Sequence, residues 1–517
     1  MKRFLALALS MLMILGVLLM AGCNTNTPSS TTTGSKNTSG TNGTTAGADN
    51  TDGTTDTTTE NTEPAGPTGY EKLAGYEDIN FGGRVFKIVG ADGEAVGDGF
   101  DSAKEIYSEE SDAISVAVKS RNSIIEQLYG CKIQGVASAS PAGDANTEVT
   151  SNQHSIDLYT HHYAISGTAT GGKAYNLMEY GTRNQGDFSN IWWDQQYVNS
   201  YTVKNSAGKD TLYSIVGDFA LTTFDCTHAI VYNKTVFQNE TKINHLDLYQ
   251  LVRDKKWTMD QFMFCVKNAT HDVDGNSTID ATKGDIAGWI RTGHATHGLH
   301  VASGLSILKT TNGTITFDVA NNADTWVNVI AKAIEVWAMP EGQTMSYTDI
   351  PEAIGGGYAL FASEILGSSL GNLKDLENCD PIGLLPYPLY SETQENYAHY
   401  VDNHVYSYSI PTSVPDPDTV VDFFNIYAYH STYIVRPAYI SVYAYDYCAD
   451  QESGEMLDII LSTMTYDPGY LAATFESDLS NMITNGKNNV AQFANKKAAN
   501  ANSWIADFIA GIDKISG

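Results

Sequence analysis

The chain has 517 residues, 42% of them hydrophobic and 10% aromatic, which is enough apolar material for two or three domains. Sixty acids stand against thirty bases, a formal charge of −30. A field of that sign opposes nucleic acid and anionic membrane surfaces, so no nucleic-acid partner is expected.

Lys2 and Arg3, an apolar run over residues 4–20 and the small residues Ala21 and Gly22, which suit a peptidase that needs a slim chain at its cleavage point, describe a secretory signal over residues 1–22. The run approaches the length that spans a bilayer. It stops at small residues with no basic stop-transfer cluster behind it, so export is the preferred reading. An ordinary secretory signal with an incidental cysteine is the competing account. Residues 23–69 are dominated by Thr, Ser, Asn and Gly. Such a segment cannot repay the entropy of ordering and reads as a disordered tether.

Folded character begins near Tyr70. Residues 84–90 alternate and end in Gly90, as a strand does. Ile114, Val118, Ile124, Ile125 and Leu128 then form a helical stripe over residues 112–129, and an extended pattern resumes at Cys131. Strand, helix, strand in that order predicts a parallel α/β layer. Further strands are predicted at residues 155–160, 212–216 and 228–232. A helix follows at 258–266, where Thr258 and Gln261 have capping-box spacing. Residues 323–337 read as a helix through Trp326, Val329, Ile330, Ala333 and Trp337. Residues 358–361, 382–386 and 405–411 read as extended. Residues 418–435, 451–464, 474–484 and 496–512 read as helical, interrupted by Pro437 and Pro468. No internal repeat is evident.

Past Cys23 the cysteines are Cys131, Cys226, Cys265, Cys379 and Cys448, widely spaced and without a CxxC pair. They support neither a disulfide scaffold nor a cysteine zinc site, and buried single thiols are the default. An exported chain leaves one or two disulfides open.

A sugar ring offers an apolar face to aromatic side chains and a rim of hydroxyls to polar ones. Trp192, Trp193 and Asp194 supply both within three residues; closing a loop over the core is the alternative for the two indoles. Trp289, Trp337, Tyr358, Tyr397, Asp157 and Arg436 are further ligand-binding candidates. Core packing, capping or a surface pair would account for each of them equally well. Tyr387, between Pro386 and Pro388, could be held at an opening by fixed dihedrals. Asp272, Asp274, Asn276 and Asp280 alternate as calcium loops do, but Ser277 stands where such loops need Gly and Lys283 where they need Glu. An Asx-rich turn is preferred to a calcium site there. His294, His297 and His300, with His161 and His162, raise a zinc reading that Gly293 and Gly298 weaken. No other cofactor is suggested. Walker A and His-Glu-x-x-His patterns are absent, so binding is favoured over catalysis.

Several blocks fall in order across residues 80–480. They include Arg84-Val85-Phe86, the Asp112 to Asn122 helix, Trp192-Trp193-Asp194, Tyr232-Asn233-Lys234 and Lys256-Trp257-Thr258. After them come Gly383-Leu384-Leu385-Pro386-Tyr387-Pro388, Gln394-Glu395-Asn396-Tyr397 and the stretch from Arg436 to Ile460. Together they resemble the bacterial extracellular solute-binding proteins, most closely family 1. Leu19-Met20-Ala21-Gly22-Cys23 resembles a lipobox. The resemblance implies a two-lobe, type II-like, periplasmic-binding-protein-like α/β fold with an interlobe cleft and hinge. It implies a first lobe from residues 80–225 and 358–408 and a second from 226–357 and 409–517. It further implies diacylglycerol on Cys23, an extracytoplasmic, lipid-anchored location at the cell membrane, and delivery of a carbohydrate, an oligosaccharide by preference, to the membrane subunits of an ABC importer. A peptide-binding transport lipoprotein is the main rival, with a surface glycan-active enzyme behind it.

Overall fold

The mostly apolar run over residues 85–91 buries itself as a strand, because a parallel sheet covered on both faces needs side chains that shed water on each side, and residues 158–161 are buried beside it. The computed structural model describes residues 67–516 except 97–99, 163–170, 374–375, 403 and 471–474. The expected signal, Cys23 and nearly all of the tether lie outside the described residues.

Strands are numbered in chain order. The first sheet contains β1 (Val85–Ala91), β2 (Lys132–Ser138), β3 (Leu158–His162) and β14 (Tyr406–Ser409) in the order β14-β3-β1-β2. The second contains β6 (His228–Asn233), β7 (Ala287–Arg291), β10 (Gly342–Thr344), β11 (Ala359–Ile365) and β12 (Ile382–Leu385) in the order β10-β7-β11-β6-β12. Three short pairs complete the strands: β4 (Val203–Lys204) with β5 (Asp210–Thr211), β8 (Leu308–Thr311) with β9 (Thr314–Phe317), and β13 (His399–Tyr400) with β15 (Met464–Thr465).

The two large sheets share one plan. In each, three parallel strands lie in the spatial order second, first, third, and an antiparallel strand joins beside the third. That antiparallel strand is β14 in the first sheet and β6 in the second. Each arrives directly from a segment that has crossed from the other lobe.

Local chemistry explains the helices that cover the sheets. Asp112 caps the helix Ala113–Tyr129 by accepting from the Ser115 amide at 3.0 Å, and Gly130 at φ 61° ends it in the left-handed conformation. Thr258 caps Met259–Ala269 by accepting from the Gln261 amide. This helix packs on β7 at Gly288, where a Cβ would lie 2.1 Å from the Val266 carbonyl oxygen. Only glycine allows that approach.

The lobes differ from the expected partition at two places. β11 and β12 are hydrogen-bonded into the second sheet through β6, so residues 359–385 belong to the second lobe and not the first. The helix Pro417–His430 covers the first lobe, where Phe423 stacks on Phe86 with centroids 3.8 Å apart. Residues 212–216 form no ladder strand; Ile215 makes an isolated bridge to Tyr408. The helical segments at the end of the chain resolve into Gln451–Ser462, Phe475–Thr484 and Val490–Ser516.

Among the described residues, three segments cross between the lobes. The first two meet: Thr227 bridges Val401, and the Asp402 amide donates to the Cys226 carbonyl at 3.0 Å. The third runs from Pro417–His430 to Gln451–Ser462 and contains two π-helical turns, Ser431–Val435 and Val442–Tyr447. Such turns insert an extra residue into the helical ladder and recur at functional sites. Cys131, Cys226, Cys265, Cys379 and Cys448 are all free thiols.

Candidate functional site: the cleft between the lobes

Open α/β sheets bind ligands beyond the carboxyl ends of their strands, and those ends meet here. A cavity of about 930 Å³ opens where β7, β10 and β11 finish. Thr292 and His294 follow β7, Met345, Ser346 and Tyr347 follow β10, and Glu364 and Ile365 close β11. Phe100 enters from the loop after β1. The crossings contribute Asp225, Asp402, His404, Tyr443 and Tyr447. A second cavity of about 690 Å³ shares Phe100, Asp225, Tyr443 and Tyr447 and continues past Lys104 and Glu110 to the start of the helix Ala113–Tyr129.

The carboxylates at this junction have distinct surroundings. Asp225 accepts from the Tyr439 hydroxyl at 2.8 Å and from the Tyr443 hydroxyl, tying the first crossing to the third. Burial raises its pKa, against the pull of those two donors. Asp402 bonds to His404 Nδ1 within its own crossing, with His294 Nδ1 at 3.8 Å and His228 Nε2 at 3.9 Å. Burial would raise Asp402, yet the imidazoles of His228 and His404 hold it well below the usual carboxylate range. Glu105, at the back of the second cavity, is pushed up to about 8 by burial, although the Tyr408 hydroxyl at 2.6 Å and the Thr222 amide at 2.9 Å both donate to it.

The nine ligand-binding candidates chosen from the sequence line neither of these two cavities. Trp193 packs edge-on against Phe188, Phe219 and Phe424, and Trp192 against Tyr429, inside the first lobe. Asp194 caps Gln195–Tyr201 and accepts from the Tyr466 hydroxyl at 2.8 Å; burial lifts its pKa to about 6. Trp289 is wholly buried and donates its Nε1 hydrogen to Ser363 at 2.6 Å. Trp337 covers the guanidinium of Arg291, which donates to its carbonyl. Tyr358 is exposed ahead of β11, and Tyr397 buries its hydroxyl against the Val252 carbonyl. Asp157 pairs with Arg84 at 2.7 Å, and Arg436 lies 3.2 Å from Asp458 and 3.7 Å from Asp218. Tyr387 is fully buried rather than held at an opening. Apart from Tyr358, each of these side chains has a core or pairing role.

The other candidates also separate. Asp272 and Asp274 come together with Asp285, while Asp280 caps Ala281–Lys283 and pairs with Lys283. The Asp272 carboxylate accepts from the amides of Gly275, Asn276 and Ser277, as an Asx-rich turn does. His294 is the residue before the helix Ala295–Val301, which forms despite Gly298. Of the three histidines only His294 reaches the cleft. His297 is bonded to Glu476, and His300 stacks on Tyr470. His161 bonds to Ser409 at 2.8 Å, and His162 stacks on Tyr406. These five rings converge on no common point.

What sequence reading missed is the tyrosine series Tyr439, Tyr443 and Tyr447. Its spacing of four was visible, and it turns one helical face toward the cleft. Asp402 and His404, just ahead of an alternating strand, were visible as a polar pair but had no periodicity to single them out.

No protein-family model and no curated protein matches the sequence. Solved structures do match. A cyclo/maltodextrin-binding protein complexed with maltotetraose is 11% identical with a TM-score of 0.52, covering 81% of this chain and 97% of that one. A sugar transporter from Rhizobium etli in an open conformation is also 11% identical with a TM-score of 0.52, covering 81% and 99%. Similarity at this level of identity speaks to architecture, and with the paired sheet plan it places the chain in the two-lobe periplasmic-binding-protein-like α/β fold.

Proposed function

We propose that this protein is an extracytoplasmic binding lipoprotein that captures a carbohydrate between its lobes and presents it to the membrane subunits of an ABC importer. The observation that carries the reading is the cavity of about 930 Å³ at the strand ends, walled by tyrosines and carboxylates from the second lobe and the crossings, with Phe100 from the first lobe. Its volume suits a di- to oligosaccharide, and its mixture of ring faces with acids and hydroxyls suits a sugar's two kinds of surface. The maltotetraose bound by one structural neighbour supports the same class by analogy. Solute that touches both lobes would favour the closed arrangement of the crossings, and closure would be the state the importer reads. Diacylglycerol on Cys23 and the tether would keep the body near that importer.

A thermal-shift panel of mono-, di- and oligosaccharides, followed by X-ray scattering on any ligand found, tests this. Stabilisation with a smaller radius of gyration is expected. A verified ligand that leaves the radius unchanged removes the closure step, and steady release of altered sugar reassigns the protein to catalysis.

A further inference from the structure

Resting on the capture reading, we propose that the captured sugar carries a protonated amine, and that Glu364 is its counter-ion. Glu364 is 6% exposed at the carboxyl end of β11 and lines the larger cavity. Its Oε1 accepts from the Ile365 amide at 3.0 Å, while its buried Oε2 has no protein donor. Asp225 and Asp402, which line the same cavity, do have donors: two tyrosine hydroxyls for the first and the His404 ring for the second. Thr292 Oγ1, 7% exposed and lining the same cavity, also lacks a partner.

A buried carboxylate oxygen without a donor is costly unless something in the site completes it. Among the described residues, Lys104 is the one lysine or arginine lining the two cavities, and it is paired with Glu110 at 2.9 Å; the His294 ring at the larger cavity lies 3.8 Å from Asp402. A neutral sugar hydroxyl could donate one hydrogen bond but would leave the charge of the carboxylate uncompensated. An ammonium supplies three donors and the opposite charge, and the faces of Tyr347, Tyr443, Tyr447 and Phe100 on the same cavity accept a cation as readily as a sugar ring. The chain's overall charge of −30 draws a cation toward the site.

The test is calorimetry at low salt on the full chain with matched ligands of one to four units: glucosamine oligosaccharides, their N-acetylated forms, and maltose oligosaccharides. The amine forms should bind at least tenfold more tightly than their acetylated partners, and added salt should narrow the gap. Glu364→Gln should lower amine affinity at least tenfold, and by a larger factor than it lowers affinity for any neutral sugar. The ligand comparison on the unmodified protein stands even if that variant folds poorly. Equal or tighter binding of the neutral forms overturns the charge assignment and leaves carbohydrate capture standing. If no sugar of any series binds, the capture reading fails and the amine proposal falls with it.

Discussion

The Asp402 amide donates to the Cys226 carbonyl at 3.0 Å, so two of the three crossing segments touch beside the cleft. The third is tied to the first through Tyr443 and Asp225. A rotation of one lobe against the other must therefore pass through residues that also line the cavities, which is the coupling a capture protein needs.

Tyr447 lines both cavities from the π-helical turn. Tyr447→Ala should weaken sugar binding by about tenfold, the worth of one lost ring contact, with little change in the unfolding midpoint. Calorimetry beside a thermal melt separates the two effects. Unchanged affinity would take this tyrosine out of the site.

Trp193 is buried among Phe188, Phe219 and Phe424. Trp193→Ala should cost about 3–5 kcal/mol of stability, as large aromatic truncations in a core do. Urea unfolding measures it. In preparations that remain folded, sugar affinity should hold; a stable variant with lost binding would return this indole to the cleft.

Glu105 has a folded pKa of about 8 against an ordinary 4.5, with burial as the largest cause. A carboxyl that keeps its proton on folding stabilises fully below its unfolded pKa, and that contribution is lost as pH rises through the folded value. The native protein should therefore lose stability relative to Glu105→Gln between about pH 4.5 and pH 8, with the difference levelling off above that. Parallel stability curves for the two proteins would show that folding does not retain the proton.

Cys23 should be the point of attachment. Cys23→Ala expressed in a bacterial host should move the protein from the membrane fraction to the soluble extracytoplasmic fraction, while the purified body binds sugar as before. Membrane retention of the variant would argue for an uncleaved apolar run instead.

Local pattern made parts of this fold legible. The helix Ala113–Tyr129 and strands β1 and β3 follow from periodicity and caps that lie within a few residues of one another. The lobe partition was less legible because β11 could pair with either sheet as far as its own residues show; its register against Tyr232, Val231 and Ile230 is a long-range choice. The site was the least legible part. Trp192 and Trp193 suit a core as well as a sugar, and their aromatic neighbours come from distant segments. Glu364 lies past the extended stretch read at residues 358–361, and nothing near it in sequence reveals that one of its oxygens lacks a donor. The cleft depends on the meeting of strand ends and crossings, a property of topology rather than of any short stretch.

The shared sheet plan carries a consequence for biogenesis. β3 has Tyr406 of β14 as its neighbour at a sequence separation of 244 residues. Until that residue emerges, the nascent first lobe has an open strand edge, and the helix Pro417–His430 that covers it comes later still. Open edges invite pairing with other chains, and contacts this distant form slowly. Truncation in the second lobe at any point before β14 should therefore leave the first incomplete as well, so that the first lobe reaches its native state only after most of the second has been made.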